Sequence, residues 1–149
     1  MTDHVVGWLE SFAAGYASET GECPELGSGE VPRAEAGDRI TAAADRLDAA
    51  LAHGAAERPL SIGGGAMPGD MALSMILAEY IVHGWDLARA TGQPWHPDPG
   101  AVTASYEFLQ GMVTPEYRGP DGMFGDEVAV SETADELTKL IGFTGRNPN

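Results

Sequence analysis

Apolar residues recur every three or four positions in five stretches of the chain, the spacing of one face of an α-helix. From Asp3 to Ser18 the stripe is Val5, Trp8, Leu9, Phe12, Ala13 and Tyr16. From Pro32 to His53, a segment rich in Ala, Asp, Glu and Arg, it is Ile40, Ala43, Ala44, Leu47 and Leu51. Asp70 to Thr91 is the most apolar stretch, opened by Pro68-Gly69-Asp70 and closed by Gly92 as a C-cap. A fourth helix is predicted from Asp98 or Pro99 to Met112, and a short fifth from Ser131 to Ile141. Ser131 is followed three residues on by Ala134, so no capping box forms, but Glu132 and Asp135 suit a helix N-terminus. Loop punctuation falls at Gly21 to Pro32, Pro59 to Gly69, Gly92 to Gly100 and Thr114 to Asp126; Gly122 to Val130 reads as a short strand or an extended loop. There is no internal repeat and no βαβ alternation. The expected fold class is all-α, a helix bundle forming a single domain over residues 1–149.

Composition narrows the function. A chain of 149 residues that is 43% hydrophobic has material for one core. Its net charge of −15 repels phosphate backbones and anionic lipid heads, so neither nucleic acid nor a membrane surface is an expected partner. The longest nearly uncharged apolar run, Met71 to Val82, is broken by Glu79 and falls short of the ~20 residues needed to span a bilayer. The N-terminal segment has no basic n-region and no clean apolar stretch, and a lone cysteine forms no internal disulfide; both point to a cytoplasmic protein. Cys23 lies between Glu22 and Glu25, which raise a thiol pKa, and reads as an unreactive loop cysteine.

The candidate chemistry sits on the third helix. Glu79 and His83 are four residues apart, one turn along one helical face, where a carboxylate and an imidazole can grip one metal ion. Their face is otherwise mostly apolar, and a carboxylate there needs a partner charge or a metal. On the first helix, His4 precedes Trp8 and Phe12 on the same stripe and is expected to point inward. Two histidines and one carboxylate form a facial set that leaves coordination positions open. On spacing alone an ion pair or a hydrogen-bonded core histidine is the commoner outcome. His53 and His96 lie beside loop signals and read as exposed. Gly63-Gly64-Gly65 lacks the strand, Lys and Ser/Thr of a phosphate loop and reads as a flexible turn, while Met67, Met71 and Met75 read as core or pocket lining.

The run Glu79 to Gly92 (EYIVHGWDLARATG) resembles the signature of the DinB-like metal-binding superfamily, in its actinobacterial branch of mycothiol-dependent maleylpyruvate isomerase-like proteins. Asp3-His4-Val5-Val6-Gly7-Trp8, the turn Gly65-x-Met67-Pro68-Gly69 and the tail Gly142 to Pro148 are similar to that branch as well. The resemblance implies an up-down four-helix bundle with a divalent metal at one end, ligated by His4, Glu79 and His83. Zinc is the usual ion, and nickel, iron or manganese suit the same donors. It implies that Asp86, one turn beyond His83, orients that histidine or a metal-bound water. A surface pair of Asp86 with Arg89, or of Arg89 with Glu107, is the alternative from spacing. Relatives of this kind activate a low-molecular-weight thiol, such as mycothiol or bacillithiol, toward a small electrophile, for transfer or for cis–trans isomerisation. The family has a further long helix before the one carrying the first histidine, whereas here Met1 stands three residues ahead of His4. A homodimer, or the final helix folding back, is therefore expected to cover the exposed groove, and His4 is expected on a fraying first turn. The competing expectation is a non-catalytic bundle that binds a small hydrophobic ligand or a partner protein.

Overall fold

The computed structural model describes residues 1–27 and 29–149. Among the described residues the chain is mostly helical. Its helices are α1 (Thr2–Ala17), α2 (Arg33–Ala52), α3 (Gly69–Thr91), α4 (Pro99–Met112) and α5 (Glu136–Phe143). A two-stranded antiparallel sheet, β1 (Leu60–Ile62) with β2 (Gly65–Met67), precedes α3, and single 3₁₀ turns lie at Ala55–Glu57 and Pro115–Tyr117. The chain divides into two compact units, residues 1–76 and 77–149, with the boundary inside α3.

In the first unit α1 packs against α2. The predicted α1 stripe is the buried one: Val5, Leu9, Phe12, Ala13 and Tyr16 are all enclosed, joined by Val6. An ion pair ties the two helices on their rims, Arg39 donating through Nε and Nη2 to the two carboxylate oxygens of Glu10 at 2.7 and 2.6 Å. On α2 the stripe is only partly covered, with Ala43 buried, Ile40, Leu47 and Leu51 half-buried and Ala44 exposed. The start of α1 carries two hydrogen bonds. The Val31 amide donates to the Asp3 carboxylate at 2.6 Å, and the Val5 amide donates to the Met1 carbonyl at 3.0 Å.

The Gly63-Gly64-Gly65 segment, expected as a flexible turn, closes a β-hairpin in which Leu60 pairs with Met67 and Ile62 with Gly65. Both connecting residues, Gly63 and Gly64, have positive φ, which a two-residue hairpin loop of the I′ kind demands and which glycine supplies without strain. Backbone bonds from Cys23 to the Ser61 carbonyl and from Ser61 to the Gly21 carbonyl lash the preceding loop to β1.

In the second unit, Ala78, Ile81, Val82, Val102, Leu109 and Leu140 form an apolar cluster flanked by Tyr106, Leu137 and Phe143. Asp98 caps α4 by accepting from the Ala101 amide, with Pro99 in the first turn. The fifth helix starts later than its predicted Ser131. Residues Ser131–Ala134 form a turn closed by the Ala134 amide on the Ser131 carbonyl. Asp135 is the N-cap and accepts from the Thr138 amide at 2.9 Å. Gly122 to Val130 is an extended loop with one bridge, Arg118 to Phe124. No described helix is long and apolar enough to cross a membrane.

Candidate metal centre

α3 presents Glu79, His83 and Asp86 in succession along one side. The four-residue step brings the Glu79 carboxylate to His83 Nε2, with Oε2 at 3.0 Å. The three-residue step brings Asp86 Oδ2 to the other ring nitrogen, Nδ1, also at 3.0 Å. One imidazole is thus gripped by carboxylates at both ends. The hydrogen bond to Glu79 is the largest influence on the ring; it outweighs burial and, with Asp86, holds the His83 pKa above the ordinary histidine value. Burial pushes the Asp86 carboxyl up, but the hydrogen bonds and charge of Arg146, with His83, leave it below the usual aspartate value. Arg146 donates from Nε to Oδ1 and from Nη2 to Oδ2, each at 2.8 Å, a bidentate fork on a carboxylate only 14% exposed.

His4 stands in the first turn of α1 and is exposed, not inward-facing as its stripe predicted. The stripe loses cover toward the helix start. Trp8 is half-buried and meets the His4 ring edge-on at 6.3 Å between centroids, while Trp8 stacks on the buried Phe12 at 5.2 Å. Of the three expected ligands, Glu79 and His83 come together in the second unit, and His4 belongs to the first. A tetrahedral zinc site with bonds of roughly 2.0–2.2 Å separates its ligand atoms by about 3.3–3.5 Å, so the 3.0 Å Glu79–His83 approach needs only a slight opening to admit an ion. The donors, two imidazoles and a carboxylate, are of the class that binds zinc with a position left open. Asp86 on Nδ1 is the outer partner that metal-ligating histidines have as a rule.

The other candidates are placed apart from this chemistry. His53 is exposed, with Nδ1 2.7 Å from the Ala49 carbonyl, and His96 is exposed in its loop. Cys23 is half-buried; burial raises its thiol pKa against the opposing Ser11 hydroxyl. Met71 is exposed, and Met67 and Met75 are half-buried. Neither spacing-based partner for Arg89 is the one adopted. Its guanidinium sits 5.8 Å from the Trp85 ring centre and donates to the Asn149 main-chain oxygen. Asp86 pairs instead with Arg146, sixty residues away, a role the sequence reading did not assign. Gly84 was also passed over. It lies between His83 and Trp85, and a Cβ there would meet the Trp95 indole at 2.3 Å. A glycine inside an otherwise strong helix was the available signal.

No family model matches the sequence, and no solved structure matches it. Two curated proteins of Mycobacterium tuberculosis do match. They are uncharacterized protein MT0763 of strain CDC 1551 / Oshkosh and uncharacterized protein Rv0738 of strain ATCC 25618 / H37Rv. Each is 30% identical over 146 residues, covering 98% of this chain and 77% of the relative.

Proposed function

The chain belongs to the family of the mycobacterial proteins Rv0738 and MT0763, and we propose from the chemistry of its site that it is a divalent-metal-dependent enzyme of the thiol-transferase or isomerase type. His4, Glu79 and His83 would hold the ion, most readily zinc, within an up-down four-helix bundle. The observation that carries this is the setting of His83, with one ring nitrogen committed to Asp86 and the other facing a carboxylate four residues away. The donor chemistry of the pair Glu79 and His83 supports it, as does the resemblance of the Glu79 to Gly92 run to thiol-using relatives.

A bound divalent ion supplies Lewis acidity that deprotonates a ligated thiol or water near neutral pH. The chain's own residues do the rest. Asp86 fixes the imidazole of His83 through Nδ1, which leaves Nε2 as the ligating atom. Glu79, 40% exposed, and His4, also exposed, would leave the centre open to a small thiol such as mycothiol and to a small electrophile. The carboxylate of Glu79, now hydrogen-bonded to His83, would offset the positive charge of a bound ion.

Purified protein, free of chelator and histidine tag, is dialysed to equilibrium against micromolar Zn²⁺. Wild type is expected to take up about one ion per chain, and His83→Ala and Glu79→Gln are expected to lose it. The zinc-loaded protein is then expected to accelerate adduct formation between a bacterial thiol and monochlorobimane. Zinc uptake that neither substitution changes would overturn the assignment of ligands. Uptake without any rate acceleration across the thiol panel would favour the non-catalytic bundle.

A further inference from the structure

A bidentate ion pair in the second unit lies one step behind the candidate centre. Asp86 receives two parallel hydrogen bonds from Arg146, both at 2.8 Å, and passes one of its oxygens on to His83 Nδ1 at 3.0 Å. A planar fork of this kind fixes a carboxylate in direction as well as in charge, which a lysine ammonium does not. Arg146 reaches that place because of how α5 ends. The Gly145 amide donates to the Gly142 carbonyl and the Arg146 amide to the Ile141 carbonyl, the paired bonds of a Schellman cap. Gly145 carries the left-handed φ of +83° this cap requires, and a Cβ there would meet the Gly125 Cα at 2.7 Å. The turn therefore accepts little besides glycine and delivers the next residue, Arg146, to one location. Arg89, the cation nearer in sequence, is drawn away over Trp85.

We infer that Arg146 is a positioning residue for the metal centre: through its fork on Asp86 it sets the angle of the His83 imidazole and so aims Nε2 at the ion. The inference rests on the metal assignment above, and it links the segment after α5 to a ligand on α3. Removing Arg146 leaves Asp86 free to rotate, so the Nδ1 contact becomes intermittent and the imidazole is less often aligned for binding. Outer partners of ligating histidines are typically worth about 10–100-fold in metal affinity.

The test is a double-mutant cycle on zinc affinity by competition titration, using wild type, Arg146→Ala, Asp86→Asn and the double variant. Each single substitution is expected to weaken zinc binding by about 10–100-fold. The double variant is expected to be no worse than Asp86→Asn alone, because Arg146 acts only through Asp86. Arg146→Lys is expected to restore only part of the affinity. The second readout needs no metal. In metal-free wild type the His83 Nδ1–H proton is expected as a protected downfield NMR resonance, and in Arg146→Ala it is expected to be lost to exchange with water. Losses that simply add in the cycle, or an Nδ1–H resonance that persists in Arg146→Ala, would overturn the inference. If wild type takes up no zinc, the metal assignment fails, and the NMR comparison still decides whether Arg146 governs the His83 ring.

Discussion

A histidine with a carboxylate on each ring nitrogen has two outcomes. It stays a charged link in an ion-pair chain, or it gives up one proton to a cation. The proposed metal role takes the second, and the neighbours of His83 differ in the way it needs: Asp86 is 14% exposed and forked by Arg146, whereas Glu79 is 40% exposed. In that proposal the fixed end orients the ring and the loose end yields to the ion. Tyr16 shows how burial acts on a single group elsewhere. It is 1% exposed, and its hydroxyl donates to the Gly69 carbonyl at 2.5 Å. Burial, with the charges of Cys23 and Asp70, pushes the phenol up to about 12. A pKa raised by folding stabilises the folded state below the unfolded value of ~10 and loses that contribution as the pH climbs through the folded value. Tyr16→Phe is therefore expected to cost about 1 kcal/mol in urea unfolding at pH 8, and the difference from wild type is expected to vanish toward pH 12. An equal gap at both pH values would contradict this.

At the scale of elements, what the sequence made legible was local. Glu79 and His83 share a face because a helix turns every 3.6 residues, and α1, α3 and α4 lie close to their predicted spans because their apolar stripes set them. The spacing starts α5 too early because Asp135 suits a first-turn acid as well as a cap; it is the cap, holding the Thr138 amide and hydroxyl at 2.9 Å each. Asp135→Ala is expected to lower stability by ~1 kcal/mol, read as a lower urea midpoint with unchanged slope. No change in midpoint would show that the turn from Ser131 to Ala134 sets the helix start unaided. The hairpin was missed because three successive glycines carry no β-propensity; the register comes from the Leu60 and Met67 pairing. The Arg146–Asp86 fork was beyond reach, since no periodicity links residues sixty positions apart.

For the whole molecule the dominant quantity is charge, 23 acids against 8 bases. That excess repels itself in the folded state, and added salt shortens the screening length from roughly 20 Å near 20 mM to about 4 Å near 500 mM. The thermal midpoint is expected to rise across that range of NaCl, and a falling midpoint would mean that the few ion pairs, such as Glu10 with Arg39, outweigh the repulsion. The proposed divalent ion would relieve the same excess locally at Glu79. The relatives share 98% of this chain's length at 30% identity, so the same measurement can be made on Rv0738. The most direct test of the account is the zinc content per chain after equilibrium dialysis, compared between wild type and His83→Ala. About one ion in wild type and none in the variant is the predicted result; equal content in the two proteins, at one ion or at none, would contradict it.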